Sequence, residues 1–425
     1  MRHYRPTGRR QRGVAALVVT LLLCLTMVLA IAFAHRDIAA EERRSANDYR
    51  TAQAFEAAEA GLEWALARIN DPTRLDIDCR PSADPAARSW RDRMLRIAAP
   101  TGIVTPATWS DAGVATALQS ACVRGASGWT CSCPANGRPT LPLAGDGATT
   151  PAFAVRFGTG PRPGLIRVTV NGCTRPVPGD VCTTATIDHA ATAAHEAVWA
   201  WVPALRSTPT AALTVRGNVS AGGAALGVHN RDRASAGLAL HAGGRIDAPA
   251  LRLSAPGGSS LGGSIASGDA ELSSLSGDRF FARHFGMDKD AWGHQRGVAR
   301  IACTTDCAHV VATAIAAGHQ LVYVDGDLVL TGPLQIGSNA EPVVIVATGA
   351  IRMTAGVAIH GVLHGASLAW NDTAPGSASI QGAALVEGDY GGDGAPDIVH
   401  DAALLSLLQA RAGSFVRING SWKDF

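Results

Sequence analysis

An uninterrupted apolar run is the first marked pattern along the chain. Residues 14–34, VAALVVTLLLCLTMVLAIAFA, carry no charge. As an α-helix this run would span about 31 Å, which matches the hydrocarbon core of one bilayer. Arginines are concentrated before it, whereas the residues after it have mixed charges; the arginines are Arg2, Arg5, Arg9, Arg10 and Arg12. The positive-inside bias therefore predicts a cytoplasmic N-terminus, with the rest of the chain across the membrane.

Helix-forming residues continue well beyond the apolar run. Residues 14–69 contain no proline and a single glycine, and Asp71-Pro72 then ends the pattern because proline disfavours helix at the residue before it. We predict one helix over residues 14–70, about 84 Å long. Its second part has a face of small side chains, which allow close approach. This face comprises Ala54, Ala57, Ala58, Gly61, Leu62 and Ala65. It suits packing against neighbouring helices and equally against the chain's own globular part.

Residues 71–205 have the pattern of a cysteine-containing α+β region. Residues 152–157 and 165–170 read as strands, and in the second of them apolar and polar positions alternate. Residues 195–202 are predicted to form another strand, and a short helix is predicted near Ser89 to Ala98.

Residues 206–400 differ in character, since short apolar strands alternate with glycine turns. This pattern resembles a β-solenoid or parallel β-helix, in which stacked coils bury a continuous core. An antiparallel sandwich is the alternative. We favour the solenoid because the strands are short, the turns are rich in glycine and the side chains are small. Helices are predicted over residues 279–285 and 401–411, the second followed by a C-terminal tail to residue 425. The fold class is thus α+β, with a long N-terminal helix and a β-rich remainder.

Charge and cysteine content limit the classes of function. The net charge of +2 gives no strong global field for nucleic acid. Cys24 lies in the apolar run, and the remaining cysteines are even in number, as expected in an oxidising compartment. They are Cys79, Cys122, Cys131, Cys133, Cys173, Cys182, Cys303 and Cys307. Their spacing leaves the full connectivity open, although Cys173 with Cys182, and Cys303 with Cys307, read as short clipped loops.

Catalytic and metal-binding motifs are not apparent, so we expect neither enzyme activity nor a cofactor. The chain contains no zinc-protease HExxH motif, no P-loop and no serine-hydrolase elbow in a strand-to-helix context. Asp389 and Asp393 are weak candidates for Ca²⁺ ligands, but Asp-Gly is also an ordinary turn pair. His360 and His364 are interpreted as surface residues.

Residues on both sides of the apolar run carry a family resemblance. Arg9-Arg10-Gln11-Arg12-Gly13 resembles the short basic leader of type IV prepilins. The stretch after the run closely resembles the N-terminal region of the PilX family of minor pilins, most specifically at residues 54–60, AFEAAEA, which include Phe55, Glu56 and Glu59. The resemblance covers residues 9–70, and the C-terminal GSWKDF also looks similar.

The resemblance implies a processing site, a location and a set of partners. Prepilin peptidase would remove residues 1–13 by cleaving between Gly13 and Val14, and Val14 would be N-methylated. The subunit would span the inner membrane once, with a periplasmic domain, and enter the cell-surface pilus. It would prime assembly or occupy the tip, and would support adhesion or aggregation. The partners implied are other minor pilins, the major pilin, the assembly machinery and a large tip adhesin.

Val18 occupies the fifth position after the expected cleavage, where most pilins have glutamate. In the family this glutamate pairs with the N-terminal amine of a neighbouring subunit, and a lone carboxylate in hydrocarbon is costly. A subunit at the tip has no earlier amine to neutralise. The substitution therefore favours a position at or near the pilus tip, although apolar packing along the fibre would also accommodate it.

Three other interpretations fit parts of the sequence. A minor pseudopilin of a type II secretion system would also lack the glutamate. A membrane-anchored β-helix protein that binds or cleaves glycans would need no prepilin leader. A plain anchor or a cleaved signal peptide would explain the apolar run alone, although Ala32-Phe33-Ala34 is only a weak signal-peptidase site.

Overall fold

The computed structural model describes residues 12–84, 86–98, 101–135, 137–141, 150–176, 181–182, 190–222, 225–354, 356–371 and 378–424. The expected leader, residues 1–13, lies outside the described residues except for its last two positions. The predicted long helix is confirmed: α1 spans Arg12–Asn70, 59 residues, or about 88 Å. It ends immediately before Asp71-Pro72, as the proline requires.

Short elements and an antiparallel sheet follow the helix. They are β1 (Arg74–Leu75), β2 (Arg88–Ser89), α2 (Trp90–Met94), β3 (Leu95–Ala98), β4 (Ile103–Pro106), β5 (Thr108–Asp111), β6 (Val114–Ala117), β7 (Gln119–Gly125), β8 (Gly128–Cys131), β9 (Ala152–Thr159), β10 (Leu165–Cys173) and β11 (Thr192–Pro203). The helix predicted near Ser89 to Ala98 is therefore shorter than expected, because Leu95–Ala98 pairs as a strand with Ile103–Pro106.

The next part of the chain, residues 204–412, contains many short strands. The strands are β12 (Leu213–Val215), β13 (Val219–Ala221), β14 (Gly227–His229), β15 (Leu240–Ala242), β16 (Ile246–Asp247), β17 (Arg252–Ser254), β18 (Ile265–Ala266), β19 (Val298–Ile301), β20 (Leu321–Val324), β21 (Leu328–Leu330), β22 (Leu334–Ile336), β23 (Val343–Ala347), β24 (Ala350–Met353), β25 (Val357–Gly365), β26 (Ser367–Trp370), β27 (Ser379–Val386), β28 (Tyr390–Gly392) and β29 (Asp397–His400). The helices are α3 (Ala270–Ser274), α4 (Gly277–Phe285), α5 (Lys289–Gly293), α6 (Ala308–Ala316) and α7 (Ala402–Arg411), with a 3₁₀ helix at Leu261–Ser264. β30 (Gly413–Arg417) and β31 (Lys423–Asp424) complete the described chain.

The antiparallel sheet contains strands from both ends of the globular part. Its order over the described residues is β30-β11-β10-β9-β7-β8, with β31 also paired to β11. β30 and β11 are antiparallel neighbours, with Pro203 opposite Gly413. Residues 204–412 are therefore an insertion between two adjacent strands. Within the predicted C-terminal tail, Gly413–Arg417 and Lys423–Asp424 pair with β11 in this sheet.

The insertion is built from two parallel sheets. One has the order β17-β14-β29-β27-β25-β23-β20-β19 with branches, and the other has the order β16-β13-β28-β26-β24-β21. The strands pair in parallel, for example Val362 with Ala383 and Leu368 with Tyr390, so the antiparallel sandwich alternative is wrong. The chain passes repeatedly from one sheet to the other, which encloses an apolar core between them.

The predicted helices 279–285 and 401–411 are found as α4 and α7. Together with α5 they cover the outer face of the larger parallel sheet. β23 consequently has both faces buried, since Val343 and Ile345 point into the core between the sheets and Val344 packs under the helices. A strand covered on both faces reads as a continuous apolar run, which is the pattern that VVIVA has in the sequence.

Candidate functional site

The small-residue face of α1 is seated on the antiparallel sheet of its own chain. Ala54, Ala58 and Leu62 are buried, and the helix contacts β9, β10 and β11. Gly172 of β10 makes the closest approach, because a Cβ there would lie 2.1 Å from the Ala54 carbonyl oxygen and 2.5 Å from the Ala58 nitrogen. Gly61 of α1 is also close to the sheet, with the Phe153 ring 2.7 Å from a Cβ built on it. Of the two uses expected for this face, docking on the chain's own domain is the one observed.

The first half of α1 stands away from the globular part. Side chains over residues 15–44 are exposed, and Val18 is 49% exposed. By length and composition the helix is able to cross a membrane. The chain therefore has an N-terminal apolar helix able to act as a single span or signal anchor, and its disulfides are typical of an exported domain.

The residues of the AFEAAEA stretch divide between the two sides of the helix. Glu56 and Glu59 are exposed on the outer side. Phe55 is half-buried and contacts the ring of His195 edge-on at 4.5 Å, Trp422 stacks on the same imidazole at 5.1 Å, and the Phe55 and Trp422 rings lie 6.4 Å apart. Phe55 therefore helps to fix the helix to β11 and the C-terminal segment, whereas the two glutamates are left free for contacts outside the globular part.

Sequence reasoning missed a buried link between the end of α1 and the last strands. The Asn70 Nδ2 donates to the Phe415 carbonyl oxygen at 3.0 Å, and the Phe415 N–H donates to Asn70 Oδ1 at 2.7 Å. Asn70 is 4% exposed. An asparagine before Asp-Pro resembles an ordinary helix end, so the sequence held no signal for this contact. On the neighbouring outer surface, Arg417 bonds Glu63 at 2.6 Å.

The expected cleavage positions lie at the beginning of the described helix. Gly13 and Val14 belong to the first turn of α1, which begins at Arg12. Val18 is one turn further along the same exposed segment.

The eight cysteines after the apolar run form four disulfides. The bonds are Cys79–Cys133, Cys122–Cys131, Cys173–Cys182 and Cys303–Cys307. The last two are the short loops that the spacing indicates. Cys122–Cys131 joins directly opposed residues of β7 and β8, a pairing that only the register could reveal. Cys24, in the apolar run, is a free thiol.

Of the two weak calcium candidates, Asp389 has a partner for its carboxylate, whereas Asp393 is held through its backbone. Oδ1 of Asp389 accepts a hydrogen bond from the backbone N–H of Asn218 at 2.7 Å. The backbone N–H of Asp393 donates to Asn371 at 3.3 Å. Over the described residues there is no group of three or more His, Cys, Asp or Glu side chains that could hold a metal ion.

A charged cluster lies beneath α4 and α5, and it corrects the interpretation of His364 as a surface residue. His364 is fully buried because α4 covers that face of β25. The Lys289 Nζ lies 2.7 Å from Oε1 of Glu387, and the His364 Nε2 lies 3.3 Å from the same oxygen. Burial is the main cause that lowers the pKa of His364. Burial raises the pKa of Glu387, but the neighbouring His364 and Lys289 side chains outweigh burial and lower it to about 2.

A second polar cluster crosses three neighbouring strands of the larger parallel sheet. The two ring nitrogens of His229 lie 2.9 Å from the Ser254 hydroxyl and 3.1 Å from Asp397 Oδ1. This is the residue set of a serine hydrolase. However, Ser254 is the register partner of His229, and Arg252 binds the same Asp397 oxygen at 2.8 Å. Direct cross-strand pairing accounts for these contacts, and we interpret the cluster as a stabilising ladder.

Comparison with protein-family models, with curated proteins and with solved structures found no match. The family resemblance therefore depends on residues 9–70 and the C-terminal GSWKDF, and the functional argument depends on those residues and the geometry of α1.

Proposed function

We propose that this chain is a minor pilin of the type IV pilus, of the PilX type, which primes pilus assembly or occupies its tip and is not an enzyme. The observation that carries the proposal is the division of α1 into a seated half and a bare apolar half. A subunit of a helical bundle needs one half to hold its head and the other to enter the bilayer and then pack with its neighbours. A signal peptide needs no such continuity into the core of the exported domain.

The resemblance supplies the partners and the processing. Prepilin peptidase would cleave between Gly13 and Val14 at the inner membrane, Val14 would be methylated, and the assembly machinery would add the subunit beside the major pilin and other minor pilins. Glu56 and Glu59, exposed on α1, are available to these neighbours. The small-residue face is not available to them, because it is already occupied by the chain's own sheet. Contacts between subunits therefore involve the outer side of α1 and the segment before residue 51.

Leader removal is the decisive test. Immunoblots of the native protein should show a shift on loss of prepilin peptidase, and Gly13→Ala should give the same unprocessed form and reduce piliation. The matched control is Ala15→Gly, which lies two residues beyond Gly13. Gly61→Ala is not a suitable control because it disturbs the packing of α1 on the sheet. Normal processing and piliation of Gly13→Ala would refute the proposal, as would a native N-terminus at Met1 or beyond Ala34.

The tip position has its own test. The absence of glutamate at Val18 favours a subunit with no earlier neighbour to neutralise. Immunogold labels on this protein should therefore be found at pilus ends. Labels spread evenly along the fibre would place the protein in the shaft and refute the tip position.

We further propose that residues 204–412 form a β-solenoid in which the order of the coils is permuted. β12 and β13, the first strands of the insertion, lie beside β27 and β28, which are nearly its last. The insertion would thus begin with a coil in the middle of the stack and add coils towards one end. The segment α3 to α5 would then lead to the opposite end, from which the remaining coils would return to the middle. Both ends of the insertion are thereby brought to the same place, which suits a unit held between β11 and β30.

A designed disulfide distinguishes this order from a simple sequential stack. Ser220 is the direct register partner of Gly391, and adjacent strands are close enough for a disulfide. Ser220→Cys with Gly391→Cys should crosslink on oxidation. Ser220→Cys with Ala369→Cys should not, because Ala369 lies one strand further away. Crosslinking of Ser220→Cys with Ala369→Cys, and none with Gly391→Cys, would exclude the permuted order.

A further inference from the structure

A cleft lies where the insertion meets the unit built around α1. One wall comes from the first unit, with Pro72, α2 and β3, and the other from the insertion, with the end of α6, β22 and the loop before β23. Its volume is about 720 Å³, within the range of cavities that hold small ligands. The two walls belong to separate cores, so neither unit alone forms this site.

Positive charge is concentrated in the cleft. Its charged lining consists of Arg74, Arg88, Arg91, Arg96 and Arg411, opposed by Asp92 and Glu341. The net positive charge of these lining residues is greater than the +2 of the whole chain. A concave surface with one dominant sign of charge attracts ligands of the opposite sign.

Some of these arginines are already occupied, and two are not. Arg74 forms an ion pair with Glu341 across the cleft. Arg91 lies over the Trp201 ring at 5.4 Å, and Arg96 donates to the Asp92 carbonyl oxygen at 2.7 Å. The side chains of Arg88 and Arg411 are exposed and form no hydrogen bond or ion pair with any described residue. Their guanidinium groups are free to bind a carboxylate or phosphate in the bidentate manner that suits arginine.

The uncharged residues of the cleft indicate which class of ligand would carry the anionic groups. The described lining of the cleft contains the imidazole of His319 but no Phe, Tyr or Trp side chain, which disfavours the base stacking used for single-stranded nucleic acid. The exposed amide of Gln335, together with Gln320 and Ser338, offers hydrogen bonds suited to hydroxyl groups.

We propose that this cleft binds a short acidic oligosaccharide, with Arg88 and Arg411 on its carboxylate or phosphate groups and the glutamines and serine on its hydroxyls. The site gives the chain a ligand on the exported side. It does not depend on the pilus assignment, because a glycan-binding membrane protein would have the same cleft.

The test uses the full chain in nanodiscs of zwitterionic lipid, so that anionic headgroups do not compete. Calorimetry should detect binding of tetragalacturonic acid that weakens as salt rises, and no binding of the neutral galactotetraose. Arg88→Gln with Arg411→Gln should weaken binding about tenfold or more, since each loses a charged hydrogen bond. The matched control is Arg156→Gln with Arg279→Gln, which removes the same charge from exposed arginines outside the cleft and should bind as the wild type does.

Three outcomes would overturn the proposal. They are equal binding of the neutral tetrasaccharide, equal binding of a polyglutamate peptide, and equal losses in the cleft and control variants. Circular dichroism of each variant establishes that it is folded before binding is compared. Since leader removal is not measured here, failure of this site leaves the pilin proposal intact, and failure of leader removal leaves this site intact.

Discussion

Gly172 of β10 lies directly beneath α1, and replacing it with alanine tests how strictly the helix seat is packed. The added Cβ would lie 2.1 Å from the Ala54 carbonyl oxygen and 2.5 Å from the Ala58 nitrogen. Both are backbone atoms of a regular helix and have no rotamer by which to move aside. The helix would have to shift away from the sheet along its whole seated half.

The expected cost follows from the rigidity of both elements. Overpacking a well-filled core costs typically 1–3 kcal/mol, and because the opposing atoms here are backbone we expect about 3 kcal/mol. For a unit of this size, 1 kcal/mol corresponds to about 2–4 °C, so the melting temperature should fall by about 6–12 °C. Gly158→Ala provides a control in the neighbouring strand, since its new Cβ would meet only the Arg167 Cβ at an ordinary 3.8 Å.

Thermal unfolding of the two full-length variants in the same nanodiscs, followed by circular dichroism, compares them directly. Gly158→Ala should melt at or slightly above the wild-type temperature, because alanine restricts the unfolded chain more than glycine does. If Gly172→Ala melted within a degree or two of Gly158→Ala, the helix would be loosely seated. The explanation of the small-residue face as a docking surface would then be refuted.

Three further changes test other parts of the structure. Asn70→Asp keeps the acceptor for the Phe415 N–H but loses the donor to the Leu66 and Phe415 carbonyls and places a buried carboxylate beside them. It should cost about 3 kcal/mol or more in urea unfolding; an unchanged midpoint would mean that the link is dispensable. Lys289→Ala leaves the buried Glu387 carboxylate without a cation and should cost about 3 kcal/mol at pH 7. The folded-state pKa of Glu387 is depressed to about 2 from 4.5. The wild type should therefore lose the stabilisation due to that shift as pH falls from 4.5 towards 2. A difference in the free energy of unfolding between the wild type and Lys289→Ala that is as large at pH 3 as at pH 7 would contradict this. Cys79→Ser opens the disulfide with a sequence separation of 54 and should cost about 4 kcal/mol by loop entropy, which non-reducing and reducing melts would check.

Several elements could be predicted from the sequence because local patterns determine them. α1 follows from a long stretch without proline and ends where Asp71-Pro72 requires it. The strands from Ala152 and Leu165 follow from apolar residues in short runs. The buried strands of the insertion follow from short apolar runs between glycine turns. Their parallel pairing is seen in the structure, and it excludes the antiparallel sandwich.

Other features depend on contacts between residues far apart in the chain. The burial of His364 requires α4 to fold over β25, which no local pattern indicates. The cysteine spacing left many disulfide pairings open, and only the register of β7 and β8 places Cys122 opposite Cys131. The cleft with Arg88 and Arg411 exists only because residues 72–97 and the insertion meet.

One long apolar helix, a cysteine-bearing region and a glycine-rich β region could all be predicted from the amino-acid sequence. Hydrophobic period, helix propensity and proline placement act over a few residues, so they can be read along the chain. What occupies the small-residue face of the helix, and that the β region is inserted between β11 and β30, could be learned only from the three-dimensional structure. Those outcomes depend on the pairing of Pro203 with Gly413 and the contact of Asn70 with Phe415, and such long-range contacts form only when separate elements pack together.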